Sequence, residues 1–357
     1  MTTTTSPVLL AERLADELLR PSAEQVDVEG VPRSHLDALA REGLLGLAGP
    51  PAYGGGGAPP RVVREVVEVL AGADLATWFV LTQHAMPLAV LASSDNEPLR
   101  QRLLGPLCTG EVLAGVAVAH LRRPGPPAVL ATRVEGGWQL DGHVGWMTSW
   151  GLCDVVLLCG LFAGGQAGMA LVAARAGGGL TSSAPMRLAA MQATSTVTFD
   201  LDAFFVADAD VAAVRPYDDW LAADRAKTAD TSASLFGLQA EVVRRLAQVA
   251  ERRGDDTAAR LAEDLADEAM GLRSQAYALI DHVPPLEQVE DRLAIRAHAL
   301  ELGIRSASAL VVATGGSAME LSAPAQRHLR EAAFLLVQAQ TGPVREATLQ
   351  RLREQSG

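Results

Sequence analysis

Through the first 110 residues, apolar positions recur at intervals of three and four, the period of helices that bury one stripe. Val63, Val66, Val67 and Leu70 set that rhythm in PRVVREVVEVLAGAD. LLAERLADELLR, SHLDALAREGLLGL, LATWFVLTQHAMPLAVLA and EPLRQRLLGPL keep it. Ser94 and Glu97 stand at capping-box spacing before the last of these, with Asp95 or Asn96 as the alternative cap. From about residue 112 the texture changes. VLAGVAVAH, AVLATRVEGG, WQLDG, CDVVLLCG, MALVAARA and STVTFDLDAFFV are short, rich in Val, Thr and Phe, and broken by Gly and Pro, which predicts strands. After Pro216 the helical period returns and persists. One of these helices carries the stripe Ala258, Leu261, Ala262, Leu265, Ala266, Ala269 and Leu272. Long helices on short links predict an antiparallel bundle. The order is α+β: helices over 1–110, a β domain over 111–213 and a helical bundle over 214–357.

Composition narrows the class. The chain has 357 residues, 49% hydrophobic and 20% charged, as an ordinary globular protein has. A net charge of −12, with no block of like charges, opposes a nucleic-acid partner, whose phosphates demand a basic face. Cys108, Cys153 and Cys159 form no CxxC, which points to a reducing cytoplasm. The start MTTTTSPVLLAERLADELLR lacks the basic region of a signal peptide, and no uninterrupted apolar window of eighteen residues predicts a membrane span.

Metal and nucleophile signatures are missing from the sequence. The histidines His35, His84, His120, His143, His282, His298 and His328 make no HxxxH, so no metal is expected. TGGSAM around Ser317 lacks the flanking strand of a nucleophile elbow. PPAYGGGGAPP reads as a surface loop with Gly54 to Gly57 as flexible turn residues. One stretch stands out: DGHVGWMTSWGLCDVVLLCG gathers Trp146, Thr148, Ser149 and Trp150 ahead of a buried-looking strand. On local grounds alone Trp146 reads as β-domain core.

Five segments in order resemble the acyl-CoA dehydrogenases and their flavin-dependent relatives. GLLGLAGPPAYGGGG is similar to that family's GLxGLxxPxxYGGxG, and VVEVLAGADLATWFVLTQHAM to the helical pair that follows. GWQLDGHVGWMTSWGLCDVVLLCG resembles GWxLNGxKxWxTxxxxADxxLVxA; RLAAMQATSTVTFDLDAFFV resembles the end of the β domain; ATGGSAMELSAPAQRHLREA resembles GGxGxxxxxPxxRxxRDA. The resemblance implies a helical domain, a β-barrel or sandwich, and a four-helix bundle. It also implies FAD, with FMN as the alternative, set against the indole of Trp146 and the hydroxyls of Thr148 and Ser149. A planar aromatic excludes water from the ring, and a hydroxyl near its reactive nitrogen steers hydride chemistry. It further implies a homodimer or homotetramer, a small-molecule substrate carried on CoA or a carrier protein, and a flavin reductase or electron-transfer partner.

The departures bear on mechanism. The family's first flavin loop is replaced by AHLRRPGPPAV, which sets His120, Arg122 and Arg123 where small polar residues and backbone amides hold the cofactor. The arginines either pair with phosphate or stand as solvated surface charges. Arg252 or Arg253 in ERRGDD replaces the arginine of an RxxFG segment, Gly315 and Gly316 keep the close backbone approach, and Val312 takes a position often held by Gln. The catalytic Glu falls at Ala339, flanked by Gln338 and Gln340, and an amide is no base. Some relatives carry that Glu on an earlier bundle helix, which here corresponds to Lys227, followed by Thr228. Asp224 and Asp230, three residues either side of Lys227, are then the candidate replacement bases. The resemblance leaves three readings: dehydrogenation of an acyl thioester through an unusual base, oxygenation by reduced flavin, and a flavin-free scaffold.

Overall fold

A computed structural model describes residues 6–354, so the first five residues of the N-terminal reading lie outside it. The leading helices are α1 (Pro7–Leu14) and α2 (Arg20–Glu29), joined through a π turn at Ala15–Leu19, then α3 (Arg33–Arg41), α4 (Pro60–Ala73), α5 (Leu75–Ala92) and α6 (Glu97–Thr109). Asn96, not Ser94, caps α6: its side chain accepts from the Leu99 amide at 3.2 Å, while the Ser94 hydroxyl donates to the Ala212 carbonyl. The glycine run between α3 and α4 is tightly folded rather than flexible. Gly56 and Gly57 donate back to the carbonyls of Gly46 and Gly49, and a Cβ at Gly55 would lie 2.3 Å from the Gly49 backbone.

Eight strands follow: β1 (Ala114–Ala117), β2 (Val129–Val134), β3 (Gly137–Met147), β4 (Val155–Phe162), β5 (Gln166–Ala173), β6 (Leu180–Ser182), β7 (Val197–Ala207) and β8 (Val211–Pro216). They form one mixed sheet in the order β6-β7-β3-β2-β4-β5-β8, with β1 parallel to the first half of β4. The sheet is thus a continuous path that ends at β6 and β8 rather than a closed ring. Those two short strands are also the ones that residue pattern did not reveal. The unbroken apolar run of β4 has a physical cause. Val156 and Leu158 join the main core, while Leu157 and Cys159 join a second core with Leu88, Leu99 and Trp220, so both faces are covered.

The bundle comprises α7 (Tyr217–Ala229), α8 (Ala233–Arg253), α9 (Asp256–His282), α10 (Val289–Thr314), α11 (Pro324–Leu335) and α12 (Gly342–Glu354). α8 packs against both α9 and α10, and α4 of the leading domain lies directly on α8. That crossing is close because Gly72 and Gly237 face it. A Cβ at Gly237 would sit 2.2 Å from the Glu68 carbonyl oxygen. α5, read as a helix from the sequence, is long and apolar enough to cross a membrane, with a mean hydropathy of 1.4 over 18 residues, where the sequence reading expected no such segment. Here it is a core helix: Asp74 caps it, and Leu75, Trp78, His84 and Leu91 are buried between β1, α4 and α6.

Candidate functional site

The site begins where β3 loses one neighbour. β2 pairs with β3 only as far as Gly142, and the His143 amide still donates to the Ala128 carbonyl, so Val144 to Met147 pair with β7 alone, through Val144↔Phe199 and Met147↔Val197. The register shifts between those two pairs, and a bulge of this kind re-aims the extra residue. Val144 and Met147 are fully buried, but Trp146 is 44% exposed. The other tryptophans behave differently. Trp78 and Trp220 are buried, Trp138 packs on Phe162, and Trp150 meets Phe199 edge-on. Trp146 is therefore not a core residue of the β domain, and its ring is open for a planar partner.

Beyond the bulge the chain is laced to the segment before β7. The Thr148 hydroxyl is 3.1 Å from that of Thr196, which in turn is 3.2 Å from that of Thr194. The Ser149 amide donates to the Thr194 carbonyl and the Trp150 amide to that of Ser195. Ser149, Met191 and Ser195 all hold positive φ (68°, 60° and 50°), a strain that persists only where surroundings over-determine it. Ser149 is fully buried, its hydroxyl donates to the Thr148 carbonyl, and it lines an apolar cavity of about 10 Å³ with Leu36, Val80, His84 and Cys153. It faces the leading helices, not the Trp146 ring. His84 there is fully satisfied, with Nε2 on the Leu107 carbonyl and Nδ1 accepting from the Ala114 amide; burial brings its pKa down to about 4.

The turn after β1 borders the free edge of β3. His120 is 5% exposed, and its Nε2 lies 2.7 Å from the Cys159 carbonyl. Its Nδ1 is buried with no partner among the described residues. Burial is the main force holding this imidazole below its usual pKa, with the charges of Arg123 and His143 adding to it. Arg122 neither reaches for a phosphate nor lies in solvent, as the sequence had suggested. Its Nε and Nη2 each bind Asp224 at 2.8 Å and tie the turn to α7. The Tyr217 hydroxyl fixes the same turn through the Leu121 carbonyl. The Arg123 guanidinium rests against Gly145, beside Trp146. A second group forms at the far end of the bundle. Arg253 donates to the Thr314 carbonyl at 2.7 Å and stands beside Gly315, whose φ is 76°; Gly316 is open around its Cα, and Arg252 is exposed.

The expected bases do not survive in that role. Lys227 is exposed, Asp224 is held by Arg122, and Asp230 is ion-paired with the buried guanidinium of Arg292. Ala339 sits in the turn after α11 with φ 50°. One residue bridges the chain beside both base positions, Lys227 and Ala339: buried Arg296 donates to the Thr228 carbonyl and, at 3.0 Å, to that of Gln338. Burial, and secondarily the charge of Arg122, lowers its pKa to about 10. Carbonyls at the ends of α7 and α11 supply the negative dipole that this cation lacks in carboxylate form. The sequence carried a trace of it, since Arg292 and Arg296 lie four apart on an otherwise apolar face of α10.

The structure also gathers a cluster that spacing alone hid. Glu268 of α9 and His298 and Glu301 of α10 place their ligand atoms within 4.8 Å of one another. Arg305 already donates to Glu268 and Glu301, and Arg351 to Glu301, so these groups form an ion-pair network. For a flavin, the residues present fit the ring: an exposed indole and a held threonine hydroxyl lie two residues apart at the end of β3. The phosphate end fits less completely, because Arg122 is engaged and only Arg253 with Gly315 remains within one chain.

Comparison with known proteins agrees with this geometry. Residues 9–111 match the family model "Acyl-CoA dehydrogenase, N-terminal domain". Benzylmalonyl-CoA dehydrogenase of Aromatoleum aromaticum is 28% identical over 147 residues, 40% of this chain and 39% of that protein. The chain thus matches about two-fifths of this curated relative's length. A glutaryl-coenzyme A dehydrogenase in complex with glutaryl-CoA superposes with a TM-score of 0.82 at 18% identity, covering 96% of this chain and 93% of its own. Dibenzothiophene monooxygenase from Paenibacillus gives 0.78 at 17% identity, covering 98% and 97%.

Proposed function

We propose that the chain, whose residues 9–111 match the acyl-CoA dehydrogenase N-terminal family model and whose fold over almost its whole length is that of a glutaryl-coenzyme A dehydrogenase and a dibenzothiophene monooxygenase, is a flavin-dependent oxidoreductase whose reaction does not run through a protein carboxylate. One observation carries the second half of this reading: Ala339 and Lys227 occupy the two base positions, and the nearby Asp224 and Asp230 are both paired with arginines. Removal of an α-proton from a thioester needs a positioned base near its own pKa, and nothing in this constellation supplies one.

When bound, a flavin (FAD, with FMN as the alternative) supplies a hydride acceptor or, once reduced, a centre for oxygen chemistry. This chain's residues supply the surroundings. The indole of Trp146 covers a ring face and keeps water away. Thr196 and Thr194 hold the Thr148 hydroxyl in one place, and the Arg122–Asp224 pair locks the β domain to α7. Gly315 lets backbone approach an adenine, with Arg253 beside it. A site without a base suits oxygenation of a small molecule by reduced flavin, which a separate reductase would provide. The same fold in a dibenzothiophene monooxygenase supports that reading. A second reading, oxidation of an acyl thioester, is favoured by the likeness over 147 residues to benzylmalonyl-CoA dehydrogenase.

The purified protein is expected to carry, or take up, a flavin that extraction identifies. A panel of acyl-CoAs added anaerobically should leave its absorbance unbleached. Bleaching by an acyl-CoA without reductant would reverse the choice between the two readings, and a protein that takes up no flavin would end both.

A further inference from the structure

We infer that the cleft between β8, the start of α6 and the β2–β3 hairpin binds a small organic monocarboxylate, held through Arg215 with its apolar body against Val214. This site is independent of the flavin reading. Trp138 in its wall and Trp146 lie at opposite ends of β3, separated by roughly 26 Å of extended strand.

The cleft offers about 510 Å³, a volume in the range of small-molecule sites. Its walls are held by the chain itself. Asn96 and Ser94 donate to the carbonyls of Val211 and Ala212, and Arg133 binds Asp208 through two of its nitrogens. The Trp138 indole packs on Phe162 and meets the Arg133 guanidinium. Arg215 is the exception. Among the described residues, every other arginine that is half-buried or buried donates to a carboxylate or a carbonyl, as Arg122 does to Asp224 and Arg296 to Gln338. Arg215 is half-buried, lines the cleft, and has neither a hydrogen bond nor an ion pair among those residues. Pairing with Ala167 of β5 fixes where it stands. A guanidinium partly withdrawn from water without a partner is unfavourable, and its fork is a ready receptor for an anion.

The charges around it set the class of anion. The acids that line the cleft are Asp208, already taken by Arg133, and the exposed Asp95. One uncompensated cation therefore accepts one negative charge, and the second charge of a phosphate would face Asp95. A carboxylate also matches the planar guanidinium at two points. The strand wall of Val211, Ala213 and the exposed Val214 carries no charged side chain and suits an apolar body.

The test titrates benzoate, benzamide and inorganic phosphate into the full chain labelled with nitrogen-15 at tryptophan, and reads the indole N–H cross-peak of Trp138, assigned by Trp138→Phe. Benzoate is expected to shift that peak saturably. Benzamide, its neutral isostere, and phosphate should each bind at least about tenfold more weakly, the loss of a charge-assisted hydrogen bond. Arg215→Gln should weaken benzoate by a similar factor, whereas Arg225→Gln, at an exposed arginine of α7, should leave it unchanged. Far-UV circular dichroism establishes that each variant is folded. The proposal is overturned by the absence of a saturable benzoate shift at Trp138, by benzamide or phosphate binding as tightly as benzoate, or by full benzoate binding in Arg215→Gln. Each of those outcomes leaves the flavin reading untouched.

Discussion

Trp146 and Asp230 are the two residues at which a functional role and a structural role make opposite demands. Trp146 is 44% exposed, so its truncation removes little buried surface. Trp146→Ala should change stability by no more than about 0.5 kcal/mol, as exposed substitutions do. It should nevertheless weaken flavin binding about tenfold, through loss of an aromatic stack worth about 1 kcal/mol and the water it excludes. Denaturant titration and flavin titration of one variant separate the two effects. Asp230→Asn is expected to do the reverse. It strips the carboxylate from Arg292, which is 2% exposed and keeps only carbonyl partners such as Leu279 and Val283. An unpaired buried guanidinium costs about 3 kcal/mol, which a fall in unfolding midpoint would register. The rate of flavin oxidation and reduction in the folded variant should match the parent. A slower flavin reaction at unchanged stability would restore Asp230 as a base.

Asn96 shows how one side chain can organise an element boundary. Its Oδ1 caps α6 at the Leu99 amide, and its Nδ2 donates to the carbonyls of Val211, at 3.0 Å, and Ala209, at 3.2 Å, so it also ties α6 to β8. Asn96→Ala should cost at least the 1 kcal/mol or so of a lost cap. Asn96→Asp should recover only part of that in urea titrations, since a carboxylate caps well but faces those two carbonyls without a hydrogen to give. Element order was legible in the sequence for a simple reason: α4 and α8 bury one stripe each, and a stripe is a local pattern. The edge strands β6 and β8 were not legible: three residues at β6 show no period, and β8 follows β7 after only Asp208–Asp210 and runs straight into α7. Trp146 was readable as a site only through its resemblance to a family motif. That it sits on a bulge depends on the register between β3 and β7, which one strand's sequence does not contain. The arginine partners were invisible for the same reason. Arg122 meets Asp224 a hundred residues away, so a charge that composition assigns to solvent or phosphate is consumed inside the fold.

At the scale of the whole molecule, buried charge ties the leading helices to the bundle. Arg327 of α11 binds Glu331 at 2.6 Å and Glu24 of α2, while Glu241 of α8 receives Arg20 of α2 together with Arg244 and Arg245. His328 and its neighbour Glu331 lie fully inside this network, 2.8 Å apart. Burial, reinforced by the charge of Arg327, holds His328 well below its usual pKa, and burial likewise depresses His84 and His120. The consequence for acid stability has a definite sign. A histidine near 6.5 in the unfolded chain and about 4 in the folded one, as for His84, binds more protons when unfolded throughout that interval. Stability is therefore full above pH 6.5 and is lost as pH falls toward 4, at up to about 1.4 kcal/mol per pH unit for each such histidine. Asp74 and Glu331, whose carboxyls burial pushes up, act in the opposite sense and offset part of the slope. Urea midpoints measured from pH 7.5 to 5 should accordingly fall with a slope of more than one proton. His84→Gln, which can still donate to Leu107 and accept from Ala114, should flatten that slope by as much as one proton while leaving the midpoint at pH 7.5 little changed. A slope identical to the parent's would mean that His84 takes up its proton without unfolding, and that this part of the core opens to water in acid before the molecule as a whole does.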